Sequence, residues 1–276
     1  MLGTFKGLYG AWIDHPEREG KLLHGGKYRI CRFLGMGSYG LTYLCHDVES
    51  GEEIAVKQAR PSKGQLGREL LRREIEIMGQ LEHPAIPGCL SSFVHNRRLY
   101  MVTEYVKGRT VEDLIFEKGA VFQESEALGF IRRLMEIVSF IHGKGIVHLD
   151  IRIPNVMLQG EQIRLIDFGL ASRLSEPSRV EPGADEETRL RRTADVTSDL
   201  YAIGHFLLFM LYSAYEPDEP DTDSAAGWEE ELSISAKTKQ MIRKLLQIDQ
   251  PYADAPAFMR ELDDSLMIQD ETAAPS

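Results

Sequence analysis

Two strand-like runs, Tyr28–Leu34 and Leu41–Asp47, are separated by Gly35-Met36-Gly37-Ser38-Tyr39-Gly40. The same glycine spacing opens dinucleotide-binding folds, but there it joins a strand to a helix. Here a second strand follows, so the start of the chain reads as an antiparallel hairpin. A turn at Glu49-Ser50-Gly51 leads to a third strand, Glu53–Gln58. Leu70, Leu71, Ile75, Ile77, Met78 and Leu81 then recur at helical spacing, and the pattern stops at His83-Pro84, as a helix should before proline. Phe93–Val94 and Leu99–Val106, bracketed by Asn96, form a further hairpin. Residues 28–106 are thus expected to form a five-stranded antiparallel unit with one helix.

After Gly108 the periodicity becomes helical. Within Glu124–His142, Leu128, Ile131, Leu134, Met135, Val138 and Ile141 make one buried face. Val147–Leu158 and Ile163–Phe168 are short apolar runs, and residues 170–198 read as a polar, mobile loop. Leu200–Tyr212 is almost wholly apolar and reads as a buried helix. Residues 216–231 hold eight acidic residues and no basic one, a surface loop by composition. Thr238–Ile248 is the last strongly periodic helix, which makes residues 107–268 a mainly helical unit and 269–276 a flexible tail. Residues 1–27 precede the first unit as an extension. Within it Leu2, Phe5, Leu8, Trp12 and Ile13 share an apolar face expected to pack on that unit.

Bulk properties exclude several classes. No apolar run approaches the roughly 18 residues that would span a bilayer, and no signal peptide opens the chain. Cys31, Cys45 and Cys89 lack metal or redox spacing and read as free thiols of a cytoplasmic protein. Residues 1–106 carry 14 Lys/Arg against 12 Asp/Glu, and the remainder 18 against 31, so the net charge of -11 lies in the second part. That acidic balance argues against nucleic-acid binding. It mildly favours basic protein partners, although a solvated acidic surface explains it equally simply.

Three more motifs follow the glycine-rich hairpin in order: Ala55-Val56-Lys57, then His148-Leu149-Asp150 with Asn155, then Asp167-Phe168-Gly169. Asp150 and Asn155 are five residues apart, and Asp167 follows Asn155 by 12. Ser198-Asp199-Leu200-Tyr201-Ala202-Ile203-Gly204 completes the series. From about Tyr28 to its C-terminal helices the chain resembles a eukaryotic-like (Hanks-type) protein kinase, and most of all a small soluble bacterial serine/threonine kinase. The resemblance implies a bilobal α+β fold, ATP as phosphate donor, and Mg²⁺ (or Mn²⁺). Protein substrates follow from it, with autophosphorylation among the expected activities.

By that resemblance Gly35, Gly37, Ser38 and Gly40 cover the ATP phosphates, and Lys57 binds the α- and β-phosphates. Glu74 is the preferred partner of Lys57, with Glu69 and Glu76 as rivals on the same helix. Asp150 is the catalytic base, Arg152 stands where a lysine usually touches the γ-phosphate, and Asn155 and Asp167 hold metal. Leu34, Ala55 and Met157 sandwich adenine, Thr103 precedes the hinge Glu104-Tyr105-Val106, and Met78, Cys89, His148 and Phe168 form a spine. Asp199 braces the catalytic loop. Plain core packing accounts for any single apolar position among these about as well.

Two departures stand out. Leu149 replaces the arginine that often binds a phosphate on the activation loop, which implies activity without loop phosphorylation. The Ala-Pro-Glu motif is reduced to Ala184-Asp185-Glu186-Glu187, and no arginine follows Asp249-Gln250-Pro251, so the substrate shelf is unusual. A pseudokinase scaffold and a small-molecule phosphotransferase remain the competing readings. Serine/threonine specificity rests on less, because Arg152 also fits some tyrosine-kinase loops.

Overall fold

The structure, a computed structural model, describes residues 13–177, 179–216 and 227–273. The chain divides into two compact units, Met1–Lys107 with Phe168–Leu170, and Gly108–Asp167 with Ala171–Ser276. A sheet-based unit and a mainly helical one make up the bilobal α+β class that was expected.

The first unit holds β1 (Leu22–Leu23), β2 (Tyr28–Met36), β3 (Gly40–Asp47), β4 (Glu53–Ala59), α1 (Gly64–Met78), β5 (Cys89–His95) and β6 (Arg98–Glu104). The strands form one antiparallel sheet in the order β1-β2-β3-β4-β6-β5. Strand alternation collects Tyr28, Ile30, Leu41, Tyr43, Cys45, Ile54, Val56, Phe93, Tyr100 and Val102 into one core cluster with Leu23. Phe93 and Tyr100 stack face to face there, with centroids 4.9 Å apart. The β5–β6 hairpin turns on Asn96 and Arg97, both left-handed (φ 48° and 63°), as a two-residue type I′ turn requires.

Two differences from expectation concern this unit. The sheet has six strands, because two residues of the N-terminal extension, Leu22 and Leu23, pair with Arg29 and Tyr28. A two-residue strand leaves no periodicity to read. The helix ends at Met78, five residues before His83, and Gln80 and Leu81 close it through bonds to Ile77 and Met78 carbonyls. Leu2, Phe5, Leu8 and Trp12 lie outside the described residues; Ile13 is half-buried.

The second unit holds β7 (Arg109–Thr110), α2 (Val111–Phe116), α3 (Glu124–Gly143), β8 (Ile146–Val147), β9 (Val156–Gln159), β10 (Gln162–Leu165) and β11 (Ser172–Arg173). Then follow α4 (Glu186–Arg192), α5 (Val196–Tyr212), α6 (Trp228–Glu231), α7 (Ala236–Leu245) and α8 (Ala255–Ala273). Thr110 and Asp113 cap α2 reciprocally, at 2.9 and 3.1 Å. Helix α3 buries one face, and α5 buries most of its length. Gly204 lets α5 approach α7 closely, since a Cβ there would stand 2.9 Å from Cβ of Leu245. Among the described residues no single helix is long and apolar enough to cross a membrane.

The described residues of 170–198 are not wholly loop: they contain β11 and α4. Helix α4 has a single apolar residue, Leu190, so its sequence carries no apolar stripe. Asp185 caps it by accepting from the Thr188 amide (2.7 Å) and hydroxyl (3.0 Å). The helix expected over Thr238–Ile248 is α7, Ala236–Leu245. Helix α8 follows, burying Ala255, Phe258, Leu262 and Ser265, and it continues past Gln269 to Ala273. Of the acidic stretch 216–231, residues 217–226 lie outside the described residues.

Candidate active site

In the first unit, β4 alternates so that Ile54 and Val56 enter the core while Ala55 and Lys57 take the other face. Helix α1 packs against the sheet and buries Glu74 with Leu71, Ile77 and Met78. The Lys57 ammonium meets both Glu74 oxygens, at 2.6 and 2.7 Å. Glu74 is 3% exposed, so this bidentate pair is shielded from water and each charge needs the other. The rivals face away: Glu69 bonds Gln65 at 2.7 Å and Glu76 is exposed.

The glycine-rich turn joins β2 to β3, closed by a bond from the Gly37 amide to the Gly40 carbonyl at 2.9 Å. Gly40 has an internal reason to be glycine: a Cβ would sit 2.9 Å from Cε of Lys57. Gly35 and Gly37 have none. A Cβ at 35 meets nothing within 4 Å, a Cβ at 37 meets only the Gly40 carbonyl at 3.9 Å, and neither residue has a left-handed backbone. The open space above them is what a ligand approaching the backbone would need. Ser38 is exposed on the same turn. Glu104, at the end of β6, accepts from the Gly88 amide at 3.2 Å, and Val106 is buried beyond it.

In the second unit one buried carboxylate organises the loop around Asp150. Asp199, in the first turn of α5, accepts the His148 amide at 2.8 Å and the Leu149 amide at 2.7 Å. It also accepts from His142 Nε2 at 2.9 Å. Burial alone would raise its pKa, but the bonds from His142 and His148 more than offset this and hold it below the usual carboxylate range. These contacts hold Leu149 in a left-handed backbone (φ 60°) that a leucine adopts only under constraint.

Asp150 follows directly. Its amide donates to Nδ1 of His148 at 3.2 Å, and the Nε2–H of the same ring donates to the Ile166 carbonyl at 3.2 Å. The Asn155 amide nitrogen donates twice to Asp150, to its carbonyl and to Oδ2, at 2.9 Å each. Arg152 Nε lies 3.6 Å from Oδ2, with most of the side chain in solvent. Met157 lies in β9 opposite Thr110 and Arg164.

A residue not singled out from the sequence completes this group. Arg192, the last residue of α4, donates from Nη1 to the Leu149 carbonyl, and both Nη atoms lie 3.3 Å from Asp150 Oδ1. Its neighbour Arg191 lies over the Tyr201 ring, 5.3 Å from the centroid, and pairs with Glu187 at 2.9 Å. Arg192 sits in a run of similar arginines, and nothing in the sequence distinguishes it from Arg189 or Arg191.

Asp167 is exposed and left-handed (φ 61°), and the amide of its neighbour Ile166 donates to the Asn155 carbonyl at 2.9 Å. Because Asn155 commits its nitrogen to Asp150, Oδ1 is left as its acceptor. An amide oxygen and a carboxylate suit Mg²⁺ or Mn²⁺, which take one or two protein oxygens beside water and phosphates. Among the described residues no group of three His, Cys, Asp or Glu side chains offers a rival metal site. The donor set fits.

The protein kinase domain family matches residues 28–252. The probable serine/threonine-protein kinase YbdM of Bacillus subtilis is 33% identical over 252 residues, covering 91% of this chain and 93% of the relative. Serine/threonine-protein kinase B of Synechocystis is 29% identical across 81% of this chain, which spans only 43% of that longer protein. Smooth-muscle myosin light chain kinase of Gallus gallus is 30% identical over 80% of this chain. The chain belongs to the protein kinase family, in its eukaryotic-like, Hanks-type branch.

Proposed function

We propose that this protein serine/threonine kinase moves the γ-phosphate of ATP to serine or threonine hydroxyls of protein substrates. The observation that carries the reading is the intact group around Asp150, whose carboxylate is fixed by Asn155 and whose backbone is fixed through Asp199. Asp150 takes the hydroxyl proton while the hydroxyl oxygen bonds to phosphorus and the bond to the ADP oxygen breaks. Lys57, oriented by Glu74, meets the α- and β-phosphates, and Arg152 meets the γ-phosphate. Gly35, Gly37, Ser38 and Gly40 cover the phosphates; Ala55, Met157 and the backbone of Glu104 and Val106 receive adenine. Asn155 and Asp167 would hold Mg²⁺ or Mn²⁺, which when bound would neutralise phosphate charge.

Activity without loop phosphorylation is part of this proposal. Leu149 leaves no arginine directly before Asp150 for a loop phosphate; Arg192 instead ties the loop to Leu149 and Asp150 directly. The acidic second half favours basic substrates, and autophosphorylation is expected.

Transfer of labelled γ-phosphate to a basic protein mixture and to the enzyme itself tests the reading, with Asp150→Asn and Lys57→Met beside the wild type. Label on Ser/Thr, lost in both variants and kept after phosphatase treatment of the enzyme, supports it. Tyrosine labelling overturns the specificity. ATP binding without transfer moves the assignment to a scaffold or switch.

A further inference from the structure

We propose that Asp14 and Arg60 form a clasp that sets the position of the glycine-rich turn and so the affinity for ATP. This rests on the reading above, in which Gly35–Gly40 covers the phosphates.

Arg60 follows β4 and holds the turn at two points. Its amide donates to the Tyr39 carbonyl at 2.8 Å, and its Nη1 donates to the Gly37 carbonyl at 3.0 Å. The Lys63 ammonium lies over the Tyr39 ring, 5.8 Å from its centroid. What aims the Arg60 fork is Asp14, 2% exposed, which accepts Nε at 2.5 Å. Asp14 also accepts the Ser62 amide at 2.8 Å and hydroxyl at 2.5 Å, so the segment after β4 is fixed on both sides. Asp14 is itself held in place, because its segment is anchored farther along: the Glu17 amide donates to the Tyr43 hydroxyl at 3.1 Å, and the Glu17 carboxylate pairs with Arg98 at 2.9 Å and Lys21 at 2.5 Å.

Met36, Gly37 and Ser38 are otherwise exposed, so without Arg60 the turn would have few contacts to order it. Ordering it only when phosphates arrive would subtract from ATP affinity. The clasp supplies that order beforehand. It makes Asp14 and Arg60 positioning residues, acting on the nucleotide through Gly37 and Tyr39, and gives the N-terminal extension a part in the reaction.

Arg60→Lys separates the two contacts. A single ammonium stays with Asp14 and cannot also reach the Gly37 carbonyl as a guanidinium fork does. The expected result is a rise in KM for ATP of roughly five- to tenfold, the scale of one net hydrogen bond. Saturating kcat and melting temperature stay near wild type, and amide exchange at Gly37–Gly40 quickens in the absence of nucleotide. Asp14→Asn shifts KM and exchange the same way with some loss of stability. Glu17→Gln, which loosens the anchor of the Asp14 segment but keeps the bond from the residue 17 amide to Tyr43, shifts KM for ATP and exchange the same way to a smaller extent.

An Arg60→Lys enzyme with wild-type KM and wild-type exchange overturns the clasp. Exchange needs no nucleotide, so it judges the clasp even where ATP fails to bind the wild type; that failure sinks the reading of the site instead.

Discussion

The guanidinium of Arg192 lies against the carboxylate of Asp150, with Nη1 and Nη2 each 3.3 Å from Oδ1. Asn155 holds the other oxygen, so the carboxylate is gripped from two directions by residues 37 positions apart. Replacing Arg192 by alanine frees one side of Asp150 and the Leu149 carbonyl together. A fall in kcat of roughly tenfold is expected, as for a misplaced catalytic group, with KM for ATP within about twofold. Steady-state kinetics with ATP varied at saturating protein substrate reads it; an unchanged kcat means the ion pair has no part in transfer.

Asp199→Asn keeps the volume of the side chain but loses one acceptor and the charge. An amide NH₂ then faces a backbone N–H that Asp199 had accepted. A loss of about 3 kcal/mol in stability is expected from the buried, broken network. Activity falls further than stability explains at temperatures where the variant is folded, because Leu149 is released from its left-handed backbone. Denaturant melts paired with activity at low temperature check both halves.

Gly37→Ala separates folding from binding. A Cβ at 37 has only the Gly40 carbonyl near it, at 3.9 Å, so the melting temperature should not change. ATP binding should weaken, because the methyl group enters the space left over the turn. Gly40→Ala behaves differently: its Cβ would press on Lys57 and disturb the pair with Glu74. Calorimetric titration with ATP beside thermal melts distinguishes them.

His205 gives the stability a pH dependence. Burial, then the nearby positive charge of Arg191, push its pKa down to about 4, while an unfolded chain would have it near 6.5. Between those values the unfolded state binds the proton more readily, so stability drops as pH falls from 6.5 towards 4. Its ring stacks edge-on against Tyr201, 4.7 Å between centroids. His205→Phe keeps a ring there and should flatten that limb, measured by denaturant unfolding at pH 7, 5.5 and 4.5.

The sequence was legible wherever a contact lies inside a motif. Lys57 and Glu74 meet because strand alternation and helical periodicity each fix one direction. Asp150 and Asn155 meet within one short loop. Arg192 was not legible, because a polar helix has no buried stripe and only its cap and its packing on α5 decide where it forms. Asp14 and Arg60 are 46 positions apart and belong to no pattern. Helix α8 escaped notice because Ala255 and Ser265 are too small and too polar to mark its buried face.

The Leu149 backbone depends on a carboxylate placed 50 positions later in the chain. A growing polypeptide that has emerged only as far as Arg192 already carries the glycine-rich turn, Lys57, Asp150, Asn155 and Asp167. It still lacks Asp199, and with it the means to keep the residue before Asp150 in its constrained shape. Such a chain would carry Asp150 on an unbraced backbone until α5 had folded.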